Sequence, residues 1–213
     1  MNPKSKLKEI WNKSASVQTP KNVGYVYTAY INRPLGRIMA VFAYKLGLSA
    51  NFLSLSGFFL TIVGALYLVL YGCKTIWGTV FGVFILLFAF VFDDADGNLA
   101  KLNKADKPSG EWLDHTLDNI KEQILCLSIF FIILKTNPNI EKWLMCFLLL
   151  PGVFSSSKIL SNEMKRHLLL YNAGVVYDRS ASRWTRFLLP LDYGFLCMVF
   201  LLAPFGLLLP VYV

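Results

Sequence analysis

The stretch that decides the fold runs from Asp93 to Asp118 and reads DDADGNLAKLNKADKPSGEWLDHTLD. It follows an uncharged run of 18 residues, 75–92, and leads into another apolar segment. Two aspartate pairs have helical spacing, because Asp93 and Asp96 are three residues apart and Asp114 and Asp118 are four apart. Carboxylates at the ends of membrane spans cost free energy, and such residues usually serve a function. We therefore expect a functional site here.

The composition predicts an integral membrane protein. Apolar residues make up 55% of the 213-residue chain and charged residues 16%, whereas charged residues make up roughly 25% of soluble proteins. A soluble domain of this size could not cover so much apolar surface. We therefore expect an all-α bundle of five to six transmembrane helices, in one membrane-embedded domain over residues 23–213 that follows a loosely ordered basic arm, 1–22.

Local signals place the helices along the chain. An amphipathic interfacial helix is predicted over about residues 34–46, because Leu35, Ile38 and Phe42 recur at helical spacing. Gly47 can end this helix, and Ser49 or Asn51 can cap the next one. Membrane spans are predicted at about residues 51–71, 75–98, 111–135, 142–160 and 187–210. The sequence leaves open whether a sixth helix belongs to the bundle.

The basic residues predict the orientation in the membrane. Of the 21 lysines and arginines, all but Lys74, Lys135 and Lys142 fall in the segments 1–50, 93–121 and 158–186. If the spans alternate, these three segments lie on one side, and the positive-inside bias makes that side the cytoplasm. We expect the N-terminus there too. The charges flank apolar spans and form no basic stripe with interleaved aromatic residues, so nucleic-acid binding is excluded.

The third predicted span carries charge into the membrane. Only residues 123–134 of it are uncharged, which is too short to cross a bilayer, so the helix must begin near Glu111. Its first half then carries four charged residues, Asp114, Asp118, Lys121 and Glu122. These side chains need a wet or metal-lined environment, because exposing them to lipid would cost too much free energy.

The chemistry of the aspartates favours a metal site. Ligand sets made only of oxygen select hard cations such as Mg²⁺, Mn²⁺ or Ca²⁺. Two helices that each bring two carboxylates could hold two ions about 3.5–4 Å apart, the geometry of two-metal phosphoryl transfer. Gly97 and Ala100 leave room for a molecule beside the first pair, and Lys101 adds a cation suited to a phosphate.

The arrangement of these residues resembles the signature of the CDP-alcohol phosphotransferases. The matching pattern is Asp93-x2-Asp96-Gly97-x2-Ala100-Lys101-x8-Gly110-x3-Asp114-x3-Asp118. Every spacing agrees, and the one departure is Lys101, where the family usually has arginine. The resemblance implies a membrane enzyme with six helices, commonly a homodimer, that transfers a phospho-alcohol group from a CDP-alcohol to an acceptor hydroxyl. It also implies release of CMP and a requirement for two divalent cations, Mg²⁺ or Mn²⁺.

The resemblance also implies roles for individual residues. The expected metal ligands are Asp93, Asp96, Asp114 and Asp118. Asp118 would in addition act as general base toward the acceptor hydroxyl. Gly97, Ala100, Lys101 and Gly110 would line the nucleotide and pyrophosphate site, together with Asn51. Lysine offers a point charge at position 101, where arginine would offer a bidentate fork.

Two interpretations remain open for His115 and for a group of arginines, and Asp94 falls outside the family pattern. His115 follows Asp114 and is either a helix-end hydrogen-bonding residue or, as in the choline and ethanolamine branch of the family, an alternative base. Asp94 lies outside the matching pattern and is expected to be a solvated helix-end residue. The cluster of Arg179, Arg183 and Arg186 either enforces topology or binds an acceptor phosphate.

The sequence leaves the substrates open. One reading has a lipid donor, CDP-diacylglycerol, and a small soluble acceptor. The other has a soluble CDP-alcohol and a lipid or glycan acceptor. Two further alternatives are a cation transporter and a noncatalytic family member. A transporter should carry acids near mid-span on several helices, whereas these aspartates lie near the basic ends of two consecutive helices. We expect the site to face the cytoplasm, in a bacterial inner membrane or its equivalent.

Overall fold

The regular elements of the structure are helices. The computed structural model describes residues 10–16, 25–104, 108–136 and 193–208, and every regular element in those ranges is helical. After a π-helical turn at Thr28–Asn32, the helices are α1 (Arg33–Lys45), α2 (Ala50–Leu70), α3 (Ile76–Leu102), α4 (Pro108–Thr136) and α5 (Tyr193–Val199). A 3₁₀ segment, Phe200–Phe205, follows α5. The all-α prediction is confirmed, and the predicted span at 142–160 lies outside the described residues.

Side-chain caps begin the two most apolar helices. The Ser49 hydroxyl accepts a hydrogen bond from the Phe52 amide at 3.2 Å and caps α2. The Thr75 hydroxyl accepts one from the Gly78 amide at 3.1 Å and caps α3. Each cap satisfies one of the amides that a helix leaves without a partner at its start. A short 3₁₀ turn, Gly72–Lys74, joins the two helices into a hairpin.

Helices α2 and α3 are long and apolar enough to cross a membrane, judged by length and composition. Their outer faces expose large apolar side chains, among them Phe59, Leu66, Phe81 and Phe84. Water would make such a continuous apolar surface costly, whereas lipid would not. The exposed faces therefore agree with a membrane environment.

A close contact between α2 and α3 lies at the start of the acidic stretch. A Cβ atom at Gly57 would lie 3.0 Å from the Phe92 Cβ and 3.1 Å from the Ala89 carbonyl oxygen. One turn of helix further on, Thr61 is fully buried. Small residues allow helix backbones to approach closely in a membrane. The lack of a side chain at Gly57 therefore sets the position of the backbone that leads into Asp93.

Beyond this contact, a hydrophobic core joins α2, α3, α4 and the C-terminal segment. Fully or almost fully buried side chains from all four meet there, including Leu68, Leu86, Ile129 and Phe200. Through this core α4 packs against α2, and side chains of α3 join the same cluster. The charged segments of α3 and α4 lie toward the other end of these helices.

Helix α1 packs against the charged half of the bundle. Its buried Ala40 and Ala43 contact Leu53, Leu99 and other residues of α2 and α3. Gly47 follows α1 with a φ of +69°, a left-handed conformation that glycine adopts without strain. The opposite face of α1 exposes the apolar side chains Leu35, Ile38, Phe42 and Leu46. The position predicted for this helix at the membrane interface stays a prediction.

A short helix in the N-terminal arm, residues 10–16, lies on the end of this assembly. The Lys13 ammonium donates to the carbonyl oxygen of Leu102, the last residue of α3, at 2.8 Å. The Arg37 guanidinium donates to the Trp11 carbonyl at 2.7 Å and stacks 3.8 Å from the centroid of the Trp11 ring. Residues 10–16 thus contact both α1 and the C-terminal end of α3, and the rest of the predicted basic arm, 1–22, lies outside the described residues.

The Gly57 contact yields a prediction about stability. We expect Gly57→Leu to lower the free energy of unfolding by about 1–3 kcal/mol, because the new side chain would overpack the α2–α3 contact. Thermal unfolding of the purified protein in detergent would measure the loss. Ser56→Leu is the matched control, since the neighbouring hydroxyl is exposed and only bonds to its own helix. Equal losses in both variants would contradict the proposed contact.

Candidate functional site

Three carboxylates from two helices converge at the charged end of the bundle. Asp93 lies on α3, and Asp114 and Asp118 lie one turn apart on α4. One oxygen atom from each of the three lies within 4.8 Å of the others. All three side chains are half-buried. The spacing of Asp114 and Asp118 puts both on one face of α4, and the fold brings Asp93 of α3 to them, so three of the four aspartates that the sequence predicts as metal ligands converge.

The fourth predicted ligand, Asp96, lies next to this group but has a partner of its own. The Asp96 carboxylate is 3% exposed and accepts a hydrogen bond from the Ser54 hydroxyl of α2 at 2.5 Å. It is near enough to Asp93 and Asp114 to interact with both electrostatically. Ser54 therefore fixes the orientation of Asp96 beside the three-carboxylate group.

A lysine ammonium lies inside the group. Lys121 of α4 is 3% exposed, and its ammonium contacts the Asp93 carboxylate across the helix interface. The same ammonium donates to Asp118, three residues earlier on its own helix, at 2.9 Å. We define Asp93, Asp114, Asp118 and Lys121 as the carboxylate–lysine cluster. The sequence predicts a polar environment for Lys121 but assigns it no role.

Asp94 is not the solvated residue that the sequence predicts. It packs against α1 where Gly36 has no side chain, and it is near enough to Arg33 for the two charges to interact. The Asn98 amide donates to the Asp94 carbonyl at 2.9 Å and to its carboxylate at 3.4 Å. Burial lowers the pKa of Arg33, and the Asp94 charge opposes that shift. The prediction was wrong because the partner lies 61 positions away in the sequence.

The predicted nucleotide-binding residues of α3 share one face. Gly97, Ala100 and Lys101 are three and four residues apart, a spacing that aligns side chains on a helix. Gly97 is exposed, and a Cβ atom built there would meet nothing within 4 Å. Packing within the described residues therefore does not require a glycine at this position, in contrast to Gly57.

Two other predicted site residues are brought together from different helices. A Cβ atom at Gly110, in the first turn of α4, would lie 3.7 Å from the Asn51 side-chain oxygen. Asn51 lies in the first turn of α2 and is exposed. The sequence predicts both as nucleotide-binding residues, and the fold places them side by side.

The remaining predicted site residues are not part of the cluster as described. His115 is half-buried next to Asp114 in the sequence, but it is not one of the three residues whose ligand atoms converge. Arg179, Arg183 and Arg186 lie outside the described residues. The acceptor-binding role predicted for these arginines stays a prediction.

The carboxylate–lysine cluster fits a divalent cation. Its donors are carboxylate oxygens alone, the ligands preferred by Mg²⁺ and Mn²⁺. The oxygens converge from two helices, and the space between two of them already accommodates a positive charge, the Lys121 ammonium. A cation at this position would reduce the repulsion between the three carboxylates.

Comparison with known proteins identifies the family. No curated protein was found to match the chain. A sequence model of the family described as CDP-alcohol phosphatidyltransferase matches residues 48–208. This region is most of the chain, and it contains helices α2 to α5 and every residue of the acidic pattern. The chain therefore belongs to the CDP-alcohol phosphatidyltransferase family.

Proposed function

We propose that the protein transfers a phospho-alcohol or phosphatidyl group from a CDP-alcohol to an acceptor hydroxyl and releases CMP. The product would be a phospholipid or a related membrane glycolipid. Family membership supports a transferase. The observation that carries the proposal for this chain is the convergence of Asp93, Asp114 and Asp118 within the pattern of that family.

The proposed reaction uses two divalent cations, Mg²⁺ or Mn²⁺. The residues that would hold them are Asp93, Asp96, Asp114 and Asp118. When bound, such cations would neutralise the pyrophosphate and the charge that develops on the departing CMP. Ser54 supports this assignment because its hydrogen bond holds the Asp96 carboxylate in one orientation.

The donor nucleotide would bind along the face formed by Gly97, Ala100 and Lys101. The open space at Gly97 supports this placement, since a ligand could approach the backbone there. The Lys101 ammonium would attract the pyrophosphate as a point charge. Asn51 and Gly110, which lie side by side, would border the same site.

Asp118 is the proposed general base. Its side chain is 40% exposed, whereas that of Asp93 is 18% exposed, so an acceptor hydroxyl has easier access to Asp118. The carboxylate would accept the proton of the attacking hydroxyl as the new bond to phosphorus forms. His115 is the alternative base. Arg179, Arg183 and Arg186 would bind a phosphate of the acceptor.

The proposed setting is a membrane with the site on its cytoplasmic side. Helix α1 would lie at the interface, with its exposed apolar side chains Leu35, Ile38, Phe42 and Leu46 toward the lipid. A site at the membrane surface could receive one substrate from water and the other from lipid. We propose a homodimer by analogy with the family.

Replacing the proposed general base distinguishes its role in turnover from any role in donor binding. We expect Asp118→Asn to retain donor binding but to lower CMP release by about 10²-fold or more, because asparagine cannot accept the proton. The measurement is CMP release by purified protein together with binding of the CDP-alcohol. Glu122→Gln is the matched control, a carboxylate on the same helix outside the family pattern. Near-normal turnover by Asp118→Asn would contradict the assignment.

A substitution at Gly97 tests the proposed donor-binding site. We expect Gly97→Ala to leave the melting temperature unchanged, because the new methyl group meets no protein atom within 4 Å. It should raise the KM for the CDP-alcohol by about tenfold, since the methyl group would occupy space that the ligand needs. Steady-state kinetics and thermal unfolding would measure the two effects. An unchanged KM would place the donor elsewhere.

The substrates can be found by a matrix assay. Purified protein would be incubated with Mg²⁺ or Mn²⁺ and pairwise combinations of CDP-alcohols and acceptors, including CDP-diacylglycerol with soluble alcohols and CDP-choline with lipid acceptors. We expect CMP release from at least one combination, and its loss when a chelator removes the metal. Nucleotide binding without CMP release in every combination would contradict the proposed transfer and favour a noncatalytic family member.

A further inference from the structure

Lys121 lies where an acidic metal site would need its positive charge. Its ammonium contacts Asp93 of α3 and Asp118 of α4, so one side chain joins carboxylates from both helices. Lys121 is also 3% exposed, and lysine is almost never buried to this extent without a partner of opposite charge. The carboxylates are thus the reason that this lysine can be buried.

The carboxylates in turn are stabilised by the charge of the lysine. The three carboxylates have oxygens within 4.8 Å of one another and are half-buried, so without a nearby cation they would repel one another. The repulsion would act between α3 and α4 and would separate the charged halves of the two helices. While the carboxylates are ionised, a positive charge between them offsets this repulsion.

A lysine is suited to supplying this charge temporarily. Its ammonium is a compact point charge on a flexible four-carbon stem, so it can move away without any change in the backbone. A bound divalent cation and the ammonium would compete for the same oxygens of Asp93 and Asp118, because both are attracted to the same carboxylates.

We propose that Lys121 is the resident cation of the carboxylate–lysine cluster. Its ammonium holds Asp93 and Asp118 together in the metal-free protein and leaves these oxygens when a divalent cation binds. Lys121 is then a positioning residue, and metal binding is an exchange of one cation for another. This inference rests on the metal site in the proposed function, but it concerns metal affinity and metal-free stability rather than turnover.

Two other roles for Lys121 make different predictions. A fixed ion pair would stabilise the protein equally with and without metal, so its loss would lower the melting temperature by the same amount in both states. A lysine that binds the donor phosphate would change nucleotide affinity but not the affinity for metal alone. Metal binding and unfolding measured without nucleotide distinguish all three roles.

The test compares Lys121→Met with Lys135→Met in the full-length protein. Lys135 lies on the same helix, and its ammonium bonds to backbone carbonyls of α2 at 3.1 and 3.4 Å rather than to carboxylates. We expect Lys121→Met to bind Mn²⁺ about tenfold more tightly than the wild type, since the competing charge is gone. In a chelator its melting temperature should fall by about 5–10 °C. Saturating Mn²⁺ should remove most of that difference, and Lys135→Met should show neither effect.

Other outcomes would overturn the inference. Unchanged Mn²⁺ affinity in Lys121→Met, with normal binding by the wild type, would overturn it and leave the proposed function intact. No Mn²⁺ binding by the wild type would also overturn the inference, and CMP release with Mg²⁺ or Mn²⁺ would then test the proposed function separately. If Lys121→Met cannot be purified folded, Lys121→Gln keeps a polar side chain without the charge. Its Mn²⁺ affinity must also exceed that of the wild type.

Discussion

Mutual repulsion among half-buried carboxylates is the constraint on which the rest of the structure depends. Asp93, Asp114 and Asp118 are held close together in the charged segments of helices whose other halves are apolar. Two conditions favour such an arrangement: packing elsewhere that holds the helices together, and a cation that offsets the charge. The hydrophobic core supplies the first condition, and the Lys121 ammonium supplies the second.

The close packing of α2 against α3 also holds the aspartates of α3 in position. Glycine at position 57 brings α2 against the backbone just before Asp93, and Ser54, one turn earlier, donates to Asp96. Both contacts come from one face of α2, which carries no predicted metal ligand. A helix without predicted metal ligands thus positions the helix that carries Asp93 and Asp96.

Local chemistry and spacing predict much of this protein. Ser49 and Gly47 mark helix ends through their own cap and turn preferences, and helical spacing puts Asp114 and Asp118 on one face of α4. Contacts between distant segments could not be predicted. The pairing of Asp94 with Arg33 depends on how two helices are rotated about their axes, which neither helix encodes alone. A single sequence therefore predicts candidate site residues but not the residues from other helices that hold them in position.

The interaction of Arg33 with Asp94 extends the support of the site beyond the family-matched region. Arg33 precedes the matched residues 48–208, whereas Asp94 is the immediate neighbour of Asp93. A chain trimmed to the matched boundaries would keep every residue of the acidic pattern, yet it would leave the half-buried Asp94 carboxylate without the helix it packs against and without the charge of Arg33. The region that identifies the family therefore leaves out part of the structure that supports the acidic stretch of this protein.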